Sequence, residues 1–196
     1  MAGVVVLVRH GETEWSRSGQ HTGTTDLPLT ARGEEQGRAL REVLAQALDG
    51  RSPELVLASP RRRAVRTAEL AGYEAELAPD LAEWDYGAYE GLTTAQIRVE
   101  RPGWTIWTGD PPGGETAAEV GKRVDRLLER VRAAEGPVLL FGHGHCGRVV
   151  AARYLGLGVE HGRLLLLRPA TPCVLGTEHG HPIVDRWNLP NPVDHA

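Results

Sequence analysis

Short, uninterrupted apolar runs alternate with longer amphipathic segments along most of this chain. The runs Val4–Val8, Leu55–Ala58 and Val138–Phe141 are each bounded by turn residues or by charged side chains. Runs of this kind are typical of strands that are buried on both faces of a mostly parallel sheet. We therefore predict three central strands at these positions.

Helical periodicity separates the predicted strands. Thr30 is a suitable N-cap, and Glu34 and Glu35 follow it near the first turn of a helix. The segment Glu115–Ala134 has the same amphipathic character. The two apolar stripes consist of Leu40, Val43, Leu44, Ala47 and Leu48, and of Val120, Val124, Leu127, Leu128 and Val131. Helices between parallel strands predict a three-layer α/β/α sandwich with a mostly parallel central sheet.

The later part of the chain has a different pattern. Leu164–Leu167, Cys173–Thr177 and Ile183–Trp187 predict a late, partly antiparallel group of strands. The segment Gly103–Gly114 is rich in Pro, Gly and Trp, which predicts a loop. We expect a lid or cap in the region around 84–114.

Composition limits the classes of protein that this chain can belong to. With 196 residues and 41% hydrophobic content, we expect a single domain over 1–196. A net charge of −4 argues against a nucleic-acid surface, and no apolar stretch reaches the ~18 residues that span a membrane. The two cysteines, Cys146 and Cys173, form no disulfide framework and have no metal-ligand spacing. We therefore expect a cytoplasmic location.

Polar side chains follow each of the three predicted central strands. Arg9-His10-Gly11 ends the first, Ser59-Pro60-Arg61-Arg62-Arg63 follows the second, and Gly142-His143-Gly144 follows the third. Each segment alone could simply expose its charged groups to solvent. The carboxyl ends of neighbouring parallel strands lie side by side, however, so we expect these groups to converge on one pocket.

The residue types at these ends indicate an anion site. Two histidines and two arginines, without a cysteine or paired aspartates, do not form a typical metal site. Guanidinium groups bind phosphoryl oxygens bidentately, and a helix N-terminus adds N–H donors. A neutral imidazole can also act as a nucleophile. Phosphate is the anion that suits this set best.

Cleavage of a phosphate ester also requires an acid that protonates the departing oxygen. The segment Leu81–Gly91 contains acidic side chains among aromatic ones, and Glu83 is our candidate. Asp85 and Glu90 are chemically equivalent rivals that spacing alone does not separate.

Taken together, these segments resemble the four blocks of the histidine phosphatase superfamily, in the branch that includes the cofactor-dependent phosphoglycerate mutases. The blocks are Arg9-His10-Gly11-Glu12-Thr13, Ser59-Pro60-x-x-Arg63-Ala64, the Glu83 segment and Gly142-His143-Gly144. The stretch Trp15–Thr30 is similar to that branch too. The resemblance implies a phosphoglycerate mutase-like fold.

The resemblance also implies catalytic roles. His10 would be the nucleophile that becomes phosphohistidine, and Arg9, Arg63 and His143 would hold the phosphoryl oxygens. Glu83 would protonate the leaving oxygen and then activate water. The resemblance implies neither a metal nor any other cofactor.

Further residues are implied at the substrate. The Gly144 N–H would help to bind the phosphoryl group, Ser16 would lie near it, and Thr22 and Gly23 would line the substrate edge. Ser16 departs from the family pattern, in which asparagine is common, so its contact is left open. Arg61 stands where an apolar residue is commoner.

A finer similarity concerns a subgroup of phosphatases once labelled as mutases, which includes bacterial acid phosphatases and a fungal sedoheptulose-bisphosphatase. It rests on Glu83–Gly87, Trp104-x-x-Trp107 and His143-Gly144-His145-x-x-Arg148. In that subgroup Tyr86 and Arg148 would contact a sugar phosphate, although a helix-surface position suits Arg148 equally well. We expect the two tryptophans to pack in the lid, not to stack on a base.

The resemblance favours hydrolysis over isomerisation because the segment Gly91–Gly114 is short and little follows Trp187. We expect a metal-independent phosphomonoesterase that acts on small phosphorylated metabolites, without a nucleic-acid or membrane partner. The alternatives are a phosphoglycerate mutase and, remotely, an inactive phosphate- or phosphopeptide-binding module. Dimers are common in the branch, which makes a homodimer possible.

Overall fold

The computed structural model describes residues 3–195 and is built around a six-stranded mixed sheet. The strands are β1 (Val5–Arg9), β2 (Leu55–Ala58), β3 (Glu76–Leu77), β4 (Val138–Gly142), β5 (Cys173–Glu178) and β6 (His181–Arg186). The α-helices are α1 (Glu14–Ser18), α2 (Ala31–Ala47), α3 (Arg62–Leu70), α4 (Thr94–Glu100), α5 (Ala117–Ala133) and α6 (Gly144–Tyr154). Short 3₁₀ segments cover Pro79–Leu81, Gly87–Tyr89, Val159–Leu164 and Pro192–His195.

The strand order is β3-β2-β4-β1-β5-β6. β1 to β4 are mutually parallel, and β4 lies between β1 and β2. β5 pairs antiparallel with β1, and β6 pairs antiparallel with β5 as a hairpin. Helices cover both faces of the sheet, which confirms the predicted α/β/α class and the antiparallel character of the late strands.

Alternate residues of β1 divide the core into two layers. Val5 and Leu7 pack with the apolar faces of α5 and α6, whereas Val6 and Val8 pack with those of α2 and α3. All four side chains are buried. Burial on both faces explains why the strand is a continuous apolar run and not an alternating one.

The predicted strand at Leu164–Leu167 is wrong. This segment ends a 3₁₀ helix and continues as a loop, because β5 already occupies the free edge of β1. Its carbonyl groups bind side chains instead of a strand: Leu166 O accepts from Trp187 Nε1 and Leu167 O accepts from Arg9 Nη1.

The region around 84–114 contains a helix that the sequence analysis did not predict. α4 begins after Thr93, whose hydroxyl caps the Gln96 N–H while the Gln96 side chain accepts from the Thr93 N–H. Trp104 and Trp107 are buried, which confirms that they pack inside this region. Its role as a lid stays a prediction.

Among residues 3–195, none of the helices has both the length and the apolar character that crossing a bilayer requires.

Two glycines allow the first turn of α2 to lie against the loop that follows β1. A Cβ added at Gly33 would lie 2.1 Å from the carbonyl oxygen of Glu12, and one added at Gly11 would lie 2.4 Å from the carbonyl oxygen of Gly33. The backbone next to His10 is thus held by a contact that no side chain permits.

We expect Gly33→Ala to destabilise the fold by about 1–3 kcal/mol, as overpacking does, although alanine is the better helix former. Urea unfolding measures this difference. The control is Gly176→Ala in β5, where an added Cβ meets nothing within 4 Å and stability should stay within about 0.5 kcal/mol. A Gly33→Ala protein as stable as its parent would contradict the close contact.

Candidate active site

The carboxyl ends of β1, β2 and β4 bring the predicted polar residues together. Arg9 is the last residue of β1 and His10 follows it, while His143 follows β4 as the N-cap of α6. Arg63 lies in the first turn of α3, just beyond β2. The ring centroids of His10 and His143 are 5.2 Å apart, with the rings inclined at 65°.

His10 is 4% exposed and its tautomer is fixed by its neighbour. Nδ1 lies 2.7 Å from the carbonyl oxygen of Gly11, which only accepts, so Nδ1 carries the proton. Burial, together with Arg63 and Arg9, holds the pKa of His10 well below its ordinary value. The imidazole is therefore neutral, with the Nε2 lone pair available for attack.

His143 is fully buried behind the same site. Its Nε2 lies 2.7 Å from the hydroxyl of Ser59, whereas its Nδ1 has no hydrogen-bond partner among the described residues. Burial and the charges of Arg63 and Arg9 hold the pKa of His143 well below its usual range. Ser59, which directly follows β2, is therefore a hydrogen-bond partner of His143 that the sequence alone did not reveal.

Two arginine side chains supply the positive charge. Arg9 Nη1 donates to Leu167 O at 3.0 Å, and Arg63 donates from Nη1 to Thr25 O at 2.9 Å and from Nη2 to Thr22 O at 3.0 Å. The Nε atoms of both arginines are buried and have no partner within residues 3–195. Arg63 lies 4.0 Å from its only ion-pair partner in that range, the carboxylate of Asp26. These unused donors fit an anion.

Glu83 lies in a loop and is 9% exposed, and its side chain reaches the N-terminus of α6. Its carboxylate accepts from the N–H groups of Trp84, His145 and Cys146 at 2.9, 2.9 and 2.8 Å. It lines the same cavity as His10. Negative charge at a helix N-terminus is stabilised by the helix dipole and by the free N–H groups.

The other two acidic candidates are engaged elsewhere. Asp85 accepts from the N–H of Gly87 at 2.9 Å, and Glu90 accepts from the N–H groups of Gly23 and Thr25 at 2.9 Å each. Neither lines the cavity. The structure thus separates three carboxylates that spacing could not, and Glu83 alone among them lines the cavity that His10 also lines.

The cavity has a volume of about 230 Å³. Five of the predicted substrate-binding residues line it: Ser16, Thr22, Tyr86, Gly144 and Arg148. Gly23 does not, because its N–H faces Glu90 and its surroundings are filled by Tyr86 and the Trp84 carbonyl. Arg63 and His143 are not among the residues that line the cavity. Contact of any of these residues with a substrate stays a prediction.

A stack of rings forms the far wall and includes residues that the sequence analysis did not assign. The Tyr86 hydroxyl is hydrogen-bonded to His145 Nδ1 at 2.6 Å, and the His21 ring lies 4.6 Å from that of Tyr86. Burial lowers the pKa of His21 to about 4 and holds that of His145 well below its ordinary value. Both rings are neutral at physiological pH. Their position in the sequence was the signal that could have identified them. His21 lies within the stretch Trp15–Thr30, and His145 lies within the motif His143-Gly144-His145-x-x-Arg148.

Arg148 is not a free surface side chain. Its guanidinium carbon lies 4.7 Å from the ring centroid of Trp107, a cation–π contact, and it donates to Gly162 O at 2.8 Å and Arg163 O at 2.9 Å. These contacts hold the guanidinium beside Trp107 while Arg148 lines the cavity.

Fold and site together define a class: an α/β protein whose parallel strand ends bring two arginines beside two buried, neutral histidines. The chain belongs to the histidine phosphatase superfamily, branch 1, whose family profile matches residues 5–190.

Similar proteins support this assignment. The chain is 42% identical over 181 residues to an acid phosphatase of Mycobacterium tuberculosis, covering 90% of this chain and 87% of the relative. It is 37% identical over 186 residues to a sedoheptulose 1,7-bisphosphatase of Saccharomyces cerevisiae, covering 79% and 68%. A solved structure of an open reading frame product from Mycobacterium tuberculosis superposes with a TM-score of 0.89 at 38% identity, covering 97% of this chain and all of the other. The chain is a phosphatase.

The buried neutral histidines predict a loss of stability in acid. Unfolded histidine has a pKa of about 6.5, so below that pH the unfolded chain binds protons that folded His10, His143 and His145 do not. We expect the free energy of unfolding to fall from pH 7.5 to 5.5 by up to about 1.4 kcal/mol per pH unit for each proton. Urea unfolding at constant ionic strength measures the slope.

Two variants test whether buried histidines cause this dependence of stability on pH. His145→Gln removes one of the depressed groups and should make the pH dependence shallower, whatever it does to stability at pH 7.5. Gly176→Ala changes no titratable group and has room for the added Cβ, so it should leave the slope unchanged. Equal slopes in the parent and in His145→Gln would mean that the folded protein does not hold this ring neutral.

Proposed function

We propose that this phosphatase hydrolyses small phosphate monoesters through a phosphohistidine on His10, without a metal. The observation that carries the proposal is the neutral His10 ring, with Nδ1 held by Gly11 and Nε2 left free beside unused arginine donors. Nε2 attacks phosphorus, and the ester P–O bond breaks. Water then attacks the phosphohistidine, the P–N bond breaks, and inorganic phosphate and His10 are released.

The charge that develops on the phosphoryl oxygens is balanced by fixed donors. Arg9 and Arg63 supply guanidinium N–H groups, His143 supplies a ring nitrogen, and the first N–H of α6, on Gly144, points from a helix N-terminus. Arginines remain protonated in proteins, so this neutralisation requires no metal ion.

Glu83 acts in both steps. It gives its proton to the departing ester oxygen and becomes a carboxylate, the form to which the Trp84, His145 and Cys146 N–H groups donate. That carboxylate then takes a proton from the attacking water, which restores the acid.

The volume and lining of the cavity support the proposal that the substrate is a small phosphorylated metabolite. A volume of about 230 Å³ lined by Tyr86, Arg148, Ser16 and Thr22 suits a polar group such as a sugar or a small acid. The two relatives named for an acid phosphatase and a sedoheptulose 1,7-bisphosphatase activity support the same class. We also propose a cytoplasmic location, supported by two cysteines that are both free and buried.

We expect phosphate release from p-nitrophenyl phosphate, 3-phosphoglycerate and sugar bisphosphates in the presence of EDTA. His10→Ala should abolish it, because the attacking nitrogen is lost. The phosphohistidine is detected as acid-labile, base-stable ³²P that the parent protein takes up from a labelled substrate. His10→Ala should not take up this label. The control is His181→Gln, an exposed histidine that should leave both signals unchanged.

Other outcomes distinguish the alternatives. Steady conversion of 3- to 2-phosphoglycerate without phosphate release would identify a mutase. Neither turnover nor labelling with any ester would identify a binding module. Activity that disappears in EDTA and returns with a divalent cation would contradict the metal-free mechanism.

Arg63→Lys tests the guanidinium fork. A lysine ammonium cannot bond to the Thr22 and Thr25 carbonyls and still present donors in a fixed plane, so we expect kcat to fall by roughly 10²–10³-fold. Arg66→Lys is the matched control, because Arg66 lies on the same helix, is exposed and pairs with Glu34 and Glu69. Similar losses in both variants would contradict a specific role for Arg63.

A further inference from the structure

A buried ion pair lies directly behind the loop that carries Glu83. Arg123, on α5, is 8% exposed and does not line the cavity. It binds the carboxylate of Glu115 bidentately, with Nε to Oε1 at 2.8 Å and Nη2 to Oε2 at 3.0 Å. Two parallel bonds of this kind fix the plane of the guanidinium.

Further N–H groups of Arg123 face the backbone carbonyl oxygens up to and including that of Glu83. Nη1 donates to the carbonyl oxygens of Asp80 at 2.8 Å and Ala82 at 2.7 Å, and Nη2 lies 3.3 Å from the Glu83 carbonyl oxygen. The guanidinium therefore holds three carbonyl groups that a flexible ammonium could not hold together.

Glu115 binds the backbone after Glu83. Its Oε2 accepts from the Asp85 N–H at 3.0 Å, and its own carbonyl oxygen accepts from Trp84 Nε1 at 2.8 Å. The pair thus fixes the loop on both sides of Glu83, from residue 80 to residue 85.

Arg123 also contacts the element that holds the Glu83 carboxylate. Its Nη1 lies 3.4 Å from the sulfur of Cys146, and the Cys146 N–H donates to Glu83 Oε1 at 2.8 Å. One guanidinium therefore touches both the loop that carries Glu83 and the helix turn that receives its side chain.

From these contacts we infer that the Arg123–Glu115 pair is a positioning device for the acid: it sets where the Glu83 carboxyl group lies relative to the ester oxygen. The inference rests on the proposed acid/base role of Glu83. A pair that merely stabilised the fold would, when broken, lower the activity on every substrate alike. A pair that positions the acid affects only the steps in which Glu83 moves a proton.

Substrates with different leaving groups separate these two cases. An aliphatic alkoxide leaves only when an acid protonates it, whereas p-nitrophenolate leaves without one. For Arg123→Lys and Glu115→Gln we expect kcat/KM to fall roughly 10–10²-fold more on an alkyl phosphate than on p-nitrophenyl phosphate. Glu83→Gln should show the same preference more strongly.

A second readout follows the later step. With p-nitrophenyl phosphate the first step needs no acid, but water attack on the phosphohistidine still needs Glu83 as base. We expect kcat and KM to fall together in both variants, with kcat/KM nearly unchanged. A pre-steady-state burst of p-nitrophenolate, about one per active site, should appear before the slow turnover.

Arg153→Lys is the matched control. Arg153, on α6, binds Asp125 on α5 through Nε at 2.8 Å and Nη2 at 2.9 Å, and among residues 3–195 it forms no hydrogen bond with the Glu83 loop. It should change kcat/KM on both substrates by the same factor and leave the burst as it is in the parent protein. Glu115→Gln retains a hydrogen-bonding side chain, so it carries the test if Arg123→Lys does not fold.

The outcomes are distinct. Equal losses on both substrates in Arg123→Lys and Glu115→Gln, or no loss, would overturn the positioning role while Glu83→Gln kept its leaving-group preference. If Glu83→Gln itself showed no preference, the proposed acid role would fail, and the inference with it. Absence of phosphate release from the parent protein would refute the proposed function directly.

Discussion

The parallel pairing of β1 with β4 is the interaction on which the rest of the site depends. Its register runs from Val5 opposite Val138 to Arg9 opposite Gly142, and the His10 N–H continues it by donating to the Gly142 carbonyl oxygen at 2.9 Å. A slip of one residue would turn every side chain of the strand to the other face. The ladder therefore fixes both the two-layer core and the approach of the two histidine rings.

Register alone does not keep positive charge inside the protein. Arg9 and Arg63 are held mainly by carbonyl groups, and both retain a buried Nε atom without a partner among the described residues. Close carboxylates would have satisfied the guanidinium groups and weakened their attraction for an incoming dianion. Neutral histidines limit the repulsion between these groups. The arrangement costs folding free energy and leaves unpaired donors for the phosphoryl group that we propose binds here.

Sequence reasoning found the residues whose positions follow from topology. Arg9 ends a strand, His10 and His143 directly follow strands, and Arg63 lies in the first turn of the next helix. Parallel strands end at one edge of a sheet, so topology brings these positions together. Glu83 lies in a loop, where the direction of each side chain depends on tertiary contacts. That is why its rivals Asp85 and Glu90 could not be separated before the structure placed one on Gly87 and the other on Gly23 and Thr25.

Two further differences have distinct causes. Leu164–Leu167 has the composition of a strand, but which strand occupies an edge is a property of the whole sheet. Helix α4 could have been predicted, since Thr93 and Gln96 form a capping box that is legible in the sequence. With seven residues, however, the helix is too short to show a clear helical periodicity of apolar residues.

The N-terminus of α6 explains how an acid and a phosphoryl group can share one site. The second and third N–H groups of the helix, on His145 and Cys146, are already donated to Glu83. The first, on Gly144, is the one that our mechanism assigns to the phosphoryl group, at the cavity surface. Two negative groups are thus held by successive N–H donors of one helix end, which lowers the cost of their proximity. In the mechanism that we propose, the same helix end would stabilise both the bound phosphoryl group and the Glu83 carboxylate that forms when the acid gives up its proton.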